Sequence, residues 1–345
     1  MKALMLDAPG RARLAEIPHP GKPGPAEVLL QIRMVGLCGS DLSTFAGKNP
    51  LVTYPRVPGH EIAAEIAEAG AEVPSEWRSG LPVTLLPYSN CGQCAACRRG
   101  RLNACRNNQT LGVQRDGALT EFLLAPWSRL KAAPGLPLRT LAMVEPLTVG
   151  AHAVRRGRVT AADTVLVIGC GMVGLGAVAA AAFRGARVIA MDMDNGKLEV
   201  ARRAGARDLL HAGEAAAIAL ADLTGGEGPD VVIEAVGTPR TFQLAVTAVS
   251  FTGRVVYIGY AKEPVSYETR LFVQKELDIL GSRNATEVDF DEVIAMLTAG
   301  GFPVDDAVSV VVPLEEAGTA LASWNDDPSS MRKIMVAVGA RTARP

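Results

Sequence analysis

The sequence predicts an α/β fold in which a β-rich part precedes a doubly wound parallel sheet, and three observations carry that prediction. The chain has 345 residues, and at about 150 residues per domain that gives two domains, each large enough to bury its own core. Its texture changes along its length, from a Pro- and Gly-rich part up to about Val144 to regular alternation of strand and helix patterns from Val165. Between an apolar β-branched run and an Ala-rich stretch lies a cluster of glycines, Gly169, Gly171, Gly174 and Gly176.

The elements follow in order. The runs Val28–Ile32, Ile62–Ile66 and Val83–Leu86 are short, apolar and bounded by turn residues, the pattern of strands joined by irregular loops. From Val165, strand candidates at 165–168, 187–191, 231–233, 254–258 and 277–280 alternate with helical spacing at 173–184 and 197–204. Such alternation implies a parallel sheet covered by helices. After Gly281 come an amphipathic helix near Asp289–Thr298, with Ile294 and Leu297 on one face, then strands at 308–312 and 334–338. The last segment is expected to return to the first domain, giving boundaries of 1–150, 151–284 and 285–345.

Charge excludes some classes of function. The 35 Lys and Arg nearly balance the 36 Asp and Glu, for a net charge of −1, and no long basic run offers the footprint that nucleic acid or anionic lipid requires. Hydrophobic residues make up 48% and the 35 glycines about a tenth of the chain, against a typical glycine share of ~7%, which favours a turn-rich folded protein over disorder. At the N-terminus, Ala3–Leu6 is too short for the apolar core of an export signal. Thr164–Phe183 is uncharged and long enough to suggest a membrane span, but its four glycines fit strand, tight turn and helix better. A soluble cytoplasmic protein is expected.

Gly169-Cys-Gly-Met-Val-Gly174 is a G-x-G-x-x-G set between a predicted strand and a predicted helix, the context that marks a dinucleotide site. The first glycine allows the tight turn, the second lets a pyrophosphate approach the backbone, and the third lets helix and strand pack closely. Met172 and Val173 then open the helix. Asp192, eighteen residues after Gly174, ends the next strand, where a carboxylate binds ribose hydroxyls and repels a 2′-phosphate. NAD is therefore favoured over NADP. Lys197 could reach the same ribose, or be an ordinary solvated lysine.

Four of the six cysteines, Cys91, Cys94, Cys97 and Cys105, fall within fifteen residues. Two two-residue gaps followed by a gap of seven can place four thiolates around one tetrahedral zinc in a closed structural site. An iron–sulfur cluster also uses C-x-x-C-x-x-C, but with a shorter last gap and a following Pro. Cys38, His60, Glu61 and Glu145 are further candidate ligands, though taken singly each also reads as a buried cysteine, a core histidine or an acid at a helix start.

Together the motifs Gly36-Leu-Cys-Gly-Ser-Asp41, Gly59-His-Glu61, the four-cysteine lobe at 88–108, Glu145-Pro-Leu147 and the Gly169–Gly174 loop resemble the zinc-dependent medium-chain dehydrogenase/reductase family. The resemblance covers the whole chain in order. It implies a GroES-like catalytic domain built from both chain ends, with a Rossmann domain inserted between them. It implies a catalytic zinc on Cys38 and His60, with Glu61 or Glu145 as ligand or as the acid beside it, and a second, structural zinc in the lobe. Ser40 matches the hydroxyl that passes the substrate proton towards solvent, while zinc acts as Lewis acid and NAD+ takes the hydride. Many members carry His five residues after the zinc cysteine, where this chain has Ser43.

Within that family, Tyr54–Glu61, Leu111–Gly117 and Gly281–Ala285 look most like bacterial dehydrogenases of hexonates such as L-galactonate or L-gulonate. Neutral polyols and L-threonine are the alternative substrates, and a non-catalytic binding protein is the alternative from another class. A substrate carboxylate needs a cation, for which Arg115 and Arg283 are the candidates. The resemblance also implies a homo-oligomer, a tetramer or dimer, in which the Leu277–Leu280 edge strand could pair across a twofold axis.

Overall fold

The computed structural model describes residues 1–339. The chain divides into two units, one formed by Met1–Glu145 together with the segment from Val304, the other by Pro146–Pro303.

In the first unit a sheet runs in the order 310–313, 334–337, 27–37, 61–69, 82–85, 130–132, with Phe122–Pro126 also paired to Glu27–Leu37. Glu27–Leu37 is its centre, because Val28, Leu30, Ile32, Val35 and Leu37 are all fully buried. Ile62, Ile66, Val83, Leu85, Ile334 and Val336 complete that core from the neighbouring strands. The closing strand Ile334–Ala337 lies antiparallel to Glu27–Leu37, with Ile334 opposite Leu37. An N-terminal hairpin, Lys2–Ala8 with Arg11–Glu16, was not among the predicted strands; Pro9-Gly10 is its turn, and Gly10 has φ +70°.

The second unit holds six parallel strands in the order 208–211, 187–192, 164–168, 231–234, 254–257, 278–281. This is the doubly wound order whose winding reverses between the first and fourth strands, here between Thr164–Ile168 and Val231–Glu234. Thr164–Phe183 resolves into a strand, a turn and the helix Met172–Phe183, and among the described residues no helix is long and apolar enough to cross a membrane.

The return to the first unit comes at Val304, later than the expected residue 285. The helix Glu287–Thr298 explains the difference, because its acids are tied to the inserted unit. Asp289, fully buried, caps it by accepting from Thr286 N and also accepts from Arg155 Nε at 2.8 Å and faces His152 Nδ1 at 2.9 Å. Glu292 forms a two-bond pair with Arg184, at 2.6 and 2.7 Å. For the same reason the first boundary falls at Glu145/Pro146, within the first turn of the helix Val144–Arg156 that carries His152 and Arg155.

Candidate functional site

Cys38 follows the central strand and caps the short helix Gly39–Phe45. His60 immediately precedes the strand Glu61–Ala69, whose first residue lies opposite Gly36 on the central strand. A Cβ on Gly36 would come within 2.0 Å of Glu61 Oε2, so glycine there makes room for the carboxylate. Asp41 ties the two segments together: one oxygen accepts from Cys38 N at 2.9 Å and the other from Gly59 N at 3.1 Å. The ligand atoms of Cys38, His60 and Glu61 all lie within 4.8 Å of one another.

Glu145, at the start of the helix Val144–Arg156, is buried and accepts a hydrogen bond from the Tyr88 hydroxyl. Among the described residues it is not part of the three-residue cluster of Cys38, His60 and Glu61. Lys333, only 2% exposed, donates to both Glu61 oxygens at 2.7 and 2.6 Å and to the Leu37 carbonyl at 3.1 Å. Neither Lys333 nor Tyr88 nor Asp41 was singled out from sequence. Asp41 stood inside the quoted Gly36–Asp41 motif, whereas Lys333 arrives only through pairing of the last strand with the central one.

The electrostatics fit a divalent cation. Cys38, Asp41, Glu61 and Glu145 are four potential anions, set against Lys333 and the His60 imidazole. Burial draws His60 towards its neutral form, but Asp41 and Cys38 outweigh it and lift the imidazole pKa well above its ordinary value. Burial, and then Glu61, raise the Glu145 carboxyl. Buried His60 Nδ1 has no hydrogen-bond partner among the described residues, and a thiolate, an imidazole and a carboxylate make a suitable zinc donor set. Ser40 lies in the first turn after Cys38, and its buried hydroxyl is likewise unpartnered among the described residues.

In the lobe the four cysteines are free thiols. Sulfur–sulfur separations are 3.5 Å for Cys94–Cys97, 3.9 Å for Cys94–Cys105 and 3.5 Å for Cys91–Cys105. A tetrahedron with Zn–S bonds of ~2.3 Å has edges of about 3.8 Å, so the cage fits one zinc ion. Backbone N–H groups of Arg106 and Cys97 pull the Cys94 thiol down to about 6, towards the thiolate a metal needs.

In the second unit the three glycines of the loop differ as their tasks require. Gly169 has φ +93°, a Cβ on Gly171 would meet nothing within 4 Å, and a Cβ on Gly174 would sit 1.8 Å from the Gly169 carbonyl. Turn, open approach and close packing are thus separate, as pyrophosphate binding at a helix start requires. Met172 and Val173 form the first helical turn, half-buried. Asp192 accepts from Cys170 N at 2.7 Å and from Asp194 N at 3.0 Å, so the loop itself orients the carboxylate expected to meet ribose. Lys197 lies in the first turn of the next helix, half-buried. Burial pushes the Cys170 thiol up to about 12, the behaviour of a packing residue.

Arg115 and Arg283 are exposed, the first in the 111–117 loop of the first unit and the second beyond the strand Asp278–Gly281 of the second.

The alcohol dehydrogenase GroES-like domain family matches residues 24–135, and the zinc-binding dehydrogenase family matches residues 172–299. The L-galactonate-5-dehydrogenase of Escherichia coli K12 is 36% identical over 291 residues, covering 84% of each chain. The chain belongs to the zinc-type medium-chain alcohol dehydrogenase family. It is an oxidoreductase acting on CH–OH groups. The erythritol/L-threitol dehydrogenase of Mycolicibacterium smegmatis is 32% identical over 334 residues, 92% of each chain. Among solved structures, the alcohol dehydrogenase rspB of E. coli CFT073, complexed with NADH, is 29% identical, has a TM-score of 0.89 and covers 98% of this chain and 99% of its own.

Proposed function

We propose that this zinc-type dehydrogenase oxidises a secondary alcohol of an acyclic sugar acid, a hexonate such as L-galactonate or L-gulonate, to the ketone with NAD+ as acceptor, releasing NADH and a proton. The observation that carries it is the convergence of Cys38, His60 and Glu61 within 4.8 Å in a chain that also holds a complete dinucleotide loop. Held by these three side chains, a zinc ion would supply Lewis acidity that lowers the pKa of the substrate hydroxyl. Lys333 fixes Glu61 by both oxygens, and Asp41 fixes the backbone on either side of the cluster. Tyr88 holds the Glu145 carboxyl beside it. Ser40, with its free buried hydroxyl, takes the substrate proton and passes it outward.

The resemblance to the L-galactonate enzyme supports a hexonate, and Asp192 supports NAD over NADP. Neutral polyols are the second reading, supported by the erythritol/L-threitol relative and by the surface positions of Arg115 and Arg283. The exposed Ile279 on the edge strand Asp278–Gly281 supports a homo-oligomer paired along that edge, and the chain would work in the cytoplasm on a small diffusible alcohol.

The test is NADH formation by zinc-loaded protein with L-galactonate, L-gulonate, D-sorbitol, galactitol, erythritol and L-threonine, alongside Cys38→Ala. Turnover of a hexonate, with one of two zinc ions and all activity lost in the variant, is the expected result. Turnover of neutral polyols alone moves the assignment to the second reading, and a variant that keeps both zinc ions and its activity overturns the site.

A further inference from the structure

Glu234 is fully buried at the end of the strand Val231–Glu234, and neither the glycine loop nor the cysteine and histidine cluster accounts for it. Its strand adjoins Thr164–Ile168 at the reversal of the winding, where open parallel sheets bind dinucleotides beyond their carboxyl ends. Glu234 pairs with Ile168 on one side and Tyr257 on the other, so it stands where three loops leave the sheet.

Its Oε1 accepts from Val236 N at 2.9 Å and from Gly237 N at 2.7 Å, which fixes the turn after the strand. That turn underlies both neighbouring loops. A Cβ on Gly169 would lie 2.5 Å from Val236 Cγ2, one on Gly237 would lie 2.9 Å from Tyr260 N, and one on Gly259 would lie 2.5 Å from Glu234 Oε2. The loops therefore meet through the carboxylate and its turn with no room for a methyl group. Glu234 Oε2 is itself buried without a partner among the described residues, an unfavourable placement that a simple turn does not require.

We propose that Glu234 is a positioning residue for the nicotinamide half of the dinucleotide site. Asp192 serves the adenosine half on the other side of the reversal, and Glu234 holds the 235–237 turn as the floor of the remaining half. This rests on the reading of the second unit as an NAD site.

Calorimetry on the zinc-loaded protein tests it, with NADH and AMP as separate probes. Wild type binds both; Glu234→Ala weakens NADH by about tenfold, the loss expected for an unmet pair of charge-assisted bonds, and leaves AMP and zinc content unchanged. Glu234→Gln restores NADH binding, since the amide oxygen accepts from both N–H groups. Equal loss of AMP and NADH, or no loss of NADH, overturns the positioning role. Failure of wild type to bind NADH overturns the cofactor reading and this inference with it, and is separated from the other outcomes by the first titration.

Discussion

Replacing Lys333 by Met tests the electrostatic design of the metal site. The lysine is 2% exposed and gives Glu61 two short bonds, at 2.6 and 2.7 Å. Removing one partner of a buried pair leaves an uncompensated charge and costs about 3–5 kcal/mol. For a unit of this size, at roughly 2–4 °C per kcal/mol, that is a fall of roughly 6–20 °C in Tm for the metal-free protein. In the zinc-loaded protein a cation still faces Glu61, so the rise in Tm on adding zinc should be larger in Lys333→Met than in wild type, and Lys333→Arg should resemble wild type. Burial lowers the Lys333 pKa, but Glu61 and Cys38 more than offset it and hold it above its usual 10.5. Its contribution is thus complete below 10.5 and fades as pH rises through the elevated value. Scanning calorimetry of both forms, with zinc measured by mass spectrometry, reads these quantities. A metal-free loss under about 1 kcal/mol, or an unchanged response to zinc, would refute the reasoning.

Two further outcomes are expected. Asp192→Ala should lower kcat/KM for NAD+ by about tenfold and raise that for NADP+, whereas Asp192→Asn, which keeps an acceptor for Cys170 N, should lose less; an unchanged cofactor ratio places selectivity elsewhere. Asp289→Asn should destabilise the second unit by about 2–3 kcal/mol at pH 7. Although burial alone would raise its pKa, His152 and Arg155 hold the Asp289 carboxyl far below the usual range. The wild-type advantage is therefore full above the usual value of 3.8 and is lost progressively as pH falls from there through the depressed value, which urea unfolding at several pH values would show.

The sequence alone determined what depends on short spacing. The strand, turn and helix around Gly169–Gly174 are legible because each glycine has a local backbone task, and the four lobe cysteines because their gaps match one tetrahedral ion. The strands at 165–168, 187–191 and 231–233 are legible because strands buried on both faces are continuous apolar runs. Cys38, His60 and Glu145 were legible only as a pattern shared with a family, since nothing local says that they meet.

Tertiary structure decided the rest. It set Glu61 within 4.8 Å of Cys38 and His60, through the opposition of Gly36 and Glu61 across two strands, and brought Lys333 to a carboxylate 272 positions away by pairing the last strand with the central one. It kept the 287–298 helix with the inserted unit because Asp289 and Glu292 find their cations there. It left Arg115 and Arg283 at the surface, where a charge alone could not fix a role. Spacing along the chain records backbone geometry over a few residues, whereas the balance of buried charge depends on which distant segments share a sheet.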